Sequence, residues 1–306
     1  MSQTENKQGQ VETTGHVWDG DLREYNNTLP RWWLWAFYVT IVFSVVYWIL
    51  YPAWPYGDTY TKGMGSVEYT VENEAGEEET VSEHWNTRAL FTRDMQTSPS
   101  AVAQKEWVGR VEGMSFDEIE EDPDTLQFAL SVGHGTFGDY CAACHGAGGQ
   151  GKVGLFPNLA DNDWLHGNSY ETIADKIKNG IKGNMPAQNV PEDKIDDLAK
   201  YVLSLSDAAD VSDEAASRGK ESFSSCAGCH GAEGKGKESM GAPNLTDAIW
   251  DVADVPGCGD DTACKIDEIK HVVNNGIERE MPGFGDRLSD TQVRMLAIYV
   301  RQLGGN

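Results

Sequence analysis

Hydrophobic residues form one uninterrupted run near the N-terminus and are spaced periodically elsewhere. Residues 32–51 contain twenty consecutive positions without a charge, Gly or Pro. An α-helix of that length extends about 30 Å and spans the hydrocarbon core of a bilayer. Trp and Tyr cluster at both ends, as in aromatic belts. We predict an uncleaved transmembrane anchor over 32–51, because a buried core helix would be shorter and less uniformly apolar, and no signal-peptidase site follows Leu50.

Beyond the anchor, the pattern changes twice. Residues 52–125 form a polar connector, in which Glu68–Glu83 holds seven Glu and no Lys or Arg. Alternation at Val67, Tyr69 and Val71 predicts one short strand, and we expect the rest to be a partly irregular tether. Further on, apolar residues recur every three or four positions, which predicts amphipathic helices, with Asp290 as a cap of the last. These helices cover 170–179, 192–205, 265–275 and 290–303.

The C-terminal part of the chain is a tandem repeat. CAACHG at 141–146 recurs as CAGCHG at 226–231, and four later landmarks recur in the same order. The landmarks are Pro-Asn-Leu at 157–159 and 243–245, Asn-Gly-Ile at 179–181 and 275–277, Met-Pro at 185–186 and 281–282, and Tyr-Val at 201–202 and 299–300. Their spacing grows by ten residues between Trp250 and Asn275, so the second copy carries an insertion. We predict domains at 1–31, 32–51, 52–125, 126–207 and 208–306.

The repeated Cys-x-x-Cys-His motif is the attachment pattern of haem c. Two thiols at this spacing each bond one vinyl-derived carbon of the porphyrin, and the adjacent His reaches the iron. The pattern predicts two covalent haems, on Cys141 and Cys144 with His145, and on Cys226 and Cys229 with His230. A zinc site or a thioredoxin-like redox pair is the alternative, but neither explains the two His residues or the later Met-Pro landmarks.

The sixth iron ligand is predicted from equal spacing in the two copies. Met185 follows His145 by 40 residues, and Met281 follows His230 by 51, or 41 without the insertion. These distances select the two methionines as axial ligands and pair each with the His of its own copy. A thioether ligand raises the reduction potential relative to a second His. His134, His166 and His271 are alternative ligands, although none recurs at an equivalent place.

Two further predictions concern side chains near the haem sites. The carbonyls around Pro157 and Pro243 are expected to support the ligand His residues. Cys258 and Cys264 lie in the insertion without a following His. Because covalent haem attachment implies an oxidising compartment, we expect a disulfide between them, with free buried thiols as the alternative.

Residues 16–52 and the repeat resemble the di-haem subunit of cbb3-type cytochrome c oxidases. Members of that family carry a D-G-x-x-E-x-N-x-x-L-P-x-W-W signature before the anchor. Its elements appear here as Asp19-Gly20, Glu24, Asn26, Leu29-Pro30 and Trp32-Trp33, with one additional residue between Gly20 and Glu24. The first copy also resembles them at 157–167 and 183–188. The acidic connector and the Cys258–Cys264 insertion depart from the family. The resemblance implies a mainly α fold, with one N-terminal transmembrane helix followed by two tandem class I cytochrome c domains.

The resemblance also implies a location and partners. The N-terminus is expected in the cytoplasm of a bacterium, the anchor in its inner membrane and the haem domains in the periplasm, in keeping with Arg23 and Arg31 before the anchor. The expected partners are a multi-span catalytic subunit, a mono-haem c-type subunit and a c-type cytochrome that donates electrons. Oxygen reduction is expected in the catalytic subunit. A di-haem peroxidase with an open iron position, or a cytochrome serving another oxidoreductase, is the alternative function.

Most of the net negative charge lies in the part of the chain after the anchor. The chain carries 24 Lys and Arg against 49 Asp and Glu, which argues against nucleic acid as a partner. Its hydrophobic fraction of 40% is too low for a multi-span transporter. Residues 52–306 contribute −23 of the formal −25. This acidic surface is expected either to steer a basic cytochrome or to provide solubility.

Overall fold

The computed structural model describes residues 12–72 and 77–304. The chain divides into two compact units, one ending at Gln104 and the other beginning at Lys105. Most of the described residues outside the loops are helical, and one apolar helix lies near the N-terminus. This agrees with the predicted fold class.

The first unit contains the anchor. Helix α1, Arg31–Leu50, has a mean hydropathy of 1.9 and no buried residue, and it is the one described helix long and apolar enough to cross a membrane. Its first and last residues each lie one position before those of the predicted span, 32–51. Pro30 precedes its first turn, where the missing N–H has no helical partner to lose. A short hairpin lies before it, made of β1 (Thr13–Trp18) and β2 (Leu22–Tyr25).

The connector is regular, so the expected irregular tether is wrong. The predicted strand is present and pairs antiparallel with a second one, and the side chain of Gln96 exchanges hydrogen bonds with the backbone of Thr70. Asn86 begins a helix because its side chain accepts from the Ala89 N–H at 2.8 Å. The elements are β3 (Pro55–Tyr56), β4 (Thr59–Tyr60), β5 (Ser66–Glu72), β6 (Glu78–His84) and α2 (Thr87–Thr97).

The second unit contains both sequence copies, and its elements are mostly helices. Three of the four predicted helices have the predicted bounds, and the fourth begins at Thr262. The elements are α3 (Pro99–Gly113), α4 (Phe116–Glu121), α5 (Pro123–Tyr140), α6 (Ala142–His145), α7 (Tyr170–Asn179), β7 (Ile181–Met185), α8 (Glu192–Leu205), α9 (Asp213–Phe223), α10 (Ala227–His230), α11 (Thr262–Asn275), β8 (Ile277–Met281) and α12 (Asp290–Leu303).

The cap of α12 is Ser289 and not Asp290. The Ser289 hydroxyl accepts from the Gln292 N–H at 3.2 Å, and the Gln292 side chain accepts from the Ser289 N–H at 2.9 Å. This reciprocal capping box satisfies two backbone donors at once, which a single carboxylate at the next position does not do.

Each hydrophobic core combines segments from both copies. The core named here after Cys141 joins α5 and α7 of the first copy to α12 of the second. The second core is named after Cys226, a residue that packs against it. This core joins α8 of the first copy to α9 and α11 of the second. The Cys141 core comprises Phe137, Cys141, Ile173, Ile177, Phe284, Leu288, Val293, Leu296, Ala297 and Val300. The Cys226 core comprises Ile195, Leu198, Ala199, Tyr201, Val202, Leu203, Phe223, Ala253, Val255, Ile269 and Val273.

Two glycines show how closely helices from different copies approach each other. A Cβ atom on Gly133 of α5 would lie 2.6 Å from the Met295 carbonyl oxygen of α12. A Cβ atom on Gly219 of α9 would lie 2.0 Å from the Asp197 carbonyl oxygen of α8. Both pairs therefore need a residue without a side chain at the crossing. The N-terminal helix of each copy packs in this way against the C-terminal helix of the other.

An antiparallel ribbon lies where the chain passes between the two cores. Strands β7 and β8 pair from Ile181 with Met281 to Met185 with Ile277, and Gly183 faces Arg279 in the middle. The two cores are therefore not the sequence copies. The predicted boundaries 126–207 and 208–306 delimit the copies, but each packed unit takes its last helix from the other copy.

Candidate haem-binding sites

The Cys-x-x-Cys-His motifs have the same backbone geometry in both copies. Cys141 caps the end of α5 and begins α6, and the His145 N–H donates to its carbonyl oxygen at 3.0 Å. The His230 N–H donates to the Cys226 carbonyl oxygen at the same distance. One helical turn places residues three apart on the same side, so both cysteines of each pair face one region.

Both predicted ligand histidines are buried and oriented by a proline carbonyl. His145 is 7% exposed and His230 is 8% exposed. Nδ1 of His145 donates to the Pro157 carbonyl oxygen at 3.1 Å, and Nδ1 of His230 donates to the Pro243 carbonyl oxygen at 3.2 Å. The predicted contacts between these carbonyls and the two His rings are present. Because Nδ1 is used in this way, Nε2 would be the nitrogen left for a haem iron in each ring.

The thiols in these motifs are free and suited to thioether attachment. None of the four forms a disulfide. Burial raises the pKa of Cys141 to about 11 and also raises the pKa of Cys226. A thioredoxin-like pair needs a thiol of lowered pKa, which the buried Cys141 and Cys226 do not provide. Among the described residues, no three His, Cys, Asp or Glu side chains lie together as a metal site. The residues present fit covalently held haem.

The structure places each predicted methionine in the core of the other copy's motif. Met281 packs against the Cys141 core, and Met185 packs against the Cys226 core. Both lie at the ends of the β7–β8 ribbon, which carries the chain from one core to the other. Equal spacing along the sequence selects the two residues, but each methionine packs against the core that contains the first motif cysteine of the other copy.

The insertion in the second copy adds to the Cys226 core. Ala253 and Val255 are 4% and 3% exposed and belong to that core. Cys258 and Cys264 are joined by a disulfide, which links a 3₁₀ turn at Pro256–Cys258 to the first turn of α11.

Four carboxylates lie together where loops of the two copies meet. Asp161 and Asp163 come from the first copy, and Asp247 and Asp251 come from the second. Burial is the main cause that raises the pKa of Asp163 to about 6, and the other three carboxylates add to it. Burial also raises the pKa of Asp251, although its side chain accepts a hydrogen bond from the Asn158 N–H at 3.4 Å.

Arg279 is a residue that the sequence analysis missed. It lies in the middle of β8, half-buried, with Gly183 opposite it and a methionine at each end of the same ribbon. Burial lowers the pKa of its guanidinium, and Asp251 opposes this effect. The alternation of half-buried and exposed positions along 277–281 is the signal that identifies its inward orientation.

The other histidines lie outside the two motifs. His134 packs edge-on against Tyr299, and the side chain of His271 bonds to Asn275. His166 lies against Gly241, whose added Cβ would be 2.3 Å from its ring.

Comparison with known proteins identifies the family of this chain. A family profile described as the N-terminal domain of cytochrome oxidase-cbb3, FixP, matches residues 10–58. A second, described as cytochrome c oxidase, cbb3-type, subunit III, matches 129–202 and 214–300. The FixP subunit of Azorhizobium caulinodans is 40% identical, and the match covers 97% of this chain and 94% of that protein. The CcoP subunit of Rhodobacter capsulatus is 38% identical, with 100% and 99% covered.

A membrane-anchored cytochrome c with two tandem domains is the class of protein that this fold and these motifs define. The chain belongs to the family of CcoP and FixP subunits of cbb3-type cytochrome c oxidases. It therefore has an electron-transfer role in a respiratory chain, its cytochrome domains bind haem c, and other subunits of the oxidase are its partners.

The raised pKa of Asp163 predicts a pH dependence of stability. The folded protein holds this proton up to about pH 6, whereas the unfolded chain releases it near pH 4. The contribution is therefore present below about pH 4 and is lost as the pH rises through about 6. Relative to Asp163→Asn, the unmodified protein should lose about 1–2 kcal/mol of stability over this range, after allowing for partial exposure.

Thermal unfolding followed by circular dichroism between pH 4 and 7 measures this difference. Asp193→Asn is the matched control, because Asp193 is exposed and lies outside the carboxylate group. Parallel pH profiles for the unmodified protein and the Asp163→Asn variant would contradict the prediction.

Proposed function

We propose that this chain relays electrons through two covalently held haems c toward the catalytic subunit of a cbb3-type oxidase. One haem is attached to Cys141 and Cys144, and the other to Cys226 and Cys229. The observation that carries the proposal is the duplicated site: two buried His rings, each oriented by a proline carbonyl, each in a motif whose first cysteine contributes to a core against which a methionine packs.

We assign the axial ligands across the copies. We pair His145 of the first copy with Met281 of the second because Met281 packs against the Cys141 core, and His230 with Met185 because Met185 packs against the Cys226 core. Each iron site thus joins the two copies. The exchanged helix packing supports this pairing, because α12 contributes to the Cys141 core and α8 to the Cys226 core.

Haem held in this way supplies a one-electron Fe(III)/Fe(II) couple. The chain's own residues do the rest. The cysteines would hold the macrocycle through thioether bonds, the proline carbonyls fix the orientation of the His rings, and the methionines would supply the second protein ligand and favour the reduced iron. With a His and a Met from the protein on each iron, no position would be left for a substrate. This arrangement favours electron transfer over peroxidase chemistry.

We propose an N-terminus in the bacterial cytoplasm, an anchor in the inner membrane and haem domains in the periplasm. The Cys258–Cys264 disulfide supports this orientation, because disulfides persist in oxidising compartments. The proposed partners are a multi-span catalytic subunit, a mono-haem c-type subunit and a c-type cytochrome that donates electrons. The −23 charge of residues 52–306 would favour a basic donor, with faster association at low ionic strength.

The ligand pairing is tested in single-haem variants. In a Cys226→Ser/Cys229→Ser background only the first haem remains. Met281→His should lower its reduction potential, since a second His favours Fe(III). We expect a shift of at least about 59 mV, a tenfold change in a one-electron equilibrium. Met185→His in the same background is the matched control and should leave the potential unchanged. Redox titration that gave the reverse result would show ligation within each copy.

Association with the oxidase is tested by co-purification. The full chain, extracted from its native membrane in mild detergent, should bring along b-type haem and copper as well as c-type haem. A single-subunit species that contains only c-type haem would favour a cytochrome serving another oxidoreductase. Rapid, stoichiometric binding of carbon monoxide to the reduced c-type haems would contradict the assigned methionine ligands and favour the peroxidase.

A further inference from the structure

Arg279 lies in the middle of the β7–β8 ribbon, which pairs equivalent segments of the two copies. The β7–β8 ribbon pairs Ile181 with Met281 and Met185 with Ile277, so its middle pair is Gly183 and Arg279. The spacing of 96 residues that relates Met185 to Met281 relates the same two residues. The approximate twofold rotation that exchanges the two methionines therefore also exchanges Arg279 with Gly183 of the first copy.

The guanidinium shares a face of the ribbon with both proposed iron ligands. Side chains alternate along a strand, so positions 185, 279 and 281 lie on one side. All three are half-buried, whereas Lys182, Glu278 and Glu280 on the other side are exposed. The ribbon thus presents a positive charge on the same face as Met185 and Met281, between the two cores against which these methionines pack.

Arg279 differs from the other arginines in this unit because it has no partner among the described residues. No carboxylate oxygen of the described chain lies within 4.0 Å of its guanidinium nitrogens, and Asp251 acts on it only from a greater distance. Every other arginine between 105 and 304 has a carboxylate, carbonyl or aromatic partner: Arg110, Arg218, Arg287, Arg294 and Arg301. A half-buried cation left unpaired is costly, which points to an anionic partner outside the polypeptide.

The ribbon also leaves space for such a partner. A Cβ atom built on Gly183, opposite Arg279, would meet no atom nearer than the Arg279 carbonyl oxygen at 4.0 Å. A larger side chain in the first copy would fill this space. Haem carries two carboxylate side chains, and a guanidinium binds carboxylates through two parallel hydrogen bonds.

We infer that Arg279, in the middle of the β7–β8 ribbon, binds carboxylate groups of the haems and raises the reduction potentials of both haems together. The inference rests on the proposed function, since it needs haem at both motifs. A fixed positive charge favours the iron state of lower charge, which is Fe(II). A unit charge about 10 Å away, at an effective dielectric constant near 20, changes a one-electron equilibrium by about tenfold.

The test is a redox titration of the haem-loaded full chain with Arg279→Gln, which removes the charge and keeps a polar side chain. Both potentials should fall, by up to about 59 mV each, equivalent to tenfold. Lys182→Gln is the matched control, because it removes the same charge from the exposed face of the same ribbon and should change neither potential. Arg279→Lys should keep both potentials close to those of the unmodified protein, since it keeps the charge.

Haem content and the far-red methionine–iron absorption band are measured in parallel. Two haems with intact methionine ligation but unchanged potentials would overturn the role of Arg279 and leave the proposed function standing. A shift of only one potential would overturn its shared position. If the Gln variant fails to hold haem, the Lys variant should restore the haem content. Equal loss in both would mean that the shape of the side chain matters and not its charge, and would also overturn the inference. Absence of c-type haem from the unmodified chain would contradict the proposed function itself.

Discussion

The packing of each C-terminal helix against the N-terminal helix of the other copy determines where the haem-binding side chains lie. Gly133 and Gly219 allow these crossings, because no Cβ atom fits between the helices there. Once α12 packs on α5 and α8 on α9, the chain must cross from one core to the other twice. The β7–β8 ribbon is formed by these two crossings, and its ends place Met185 and Met281.

Chain length between elements explains why this exchange is favourable. Only residues 206–212 connect α8 to α9. Elements joined by a short connection usually become spatial neighbours. The C-terminal helix of the first copy is thus adjacent to the N-terminal helix of the second before any long-range contact forms. The first and last helices of the repeat, α5 and α12, are then left to pack together.

Local features were predictable from the sequence, and the pairing between copies was not. The apolar run gave the anchor to within one residue, and periodicity gave three helices with their observed bounds. These depend on neighbouring residues only. The two copies, however, have equivalent apolar faces on equivalent helices, so the pattern is the same for either pairing. The connector was missed for a different reason: its many Glu residues obscured local signals such as the Asn86 cap and the Ser115–Glu118 capping box.

The exchange also concentrates charge between the copies. Loops from both contribute the four half-buried carboxylates that include Asp163, and the ribbon contributes Arg279. Charges in such a position are screened less than charges on the open surface. A side chain placed there acts on both copies at once, which a pair of independent cytochrome domains would not allow.

Cleavage of the chain within residues 206–212, at an inserted protease site, tests the exchanged architecture most directly. The two fragments carry one Cys-x-x-Cys-His motif each. If the cores are shared, the fragments should remain associated on size-exclusion chromatography, and both haems should keep their methionine–iron absorption. Separation into two stable fragments, each with one haem ligated by its own His and Met, would contradict the account.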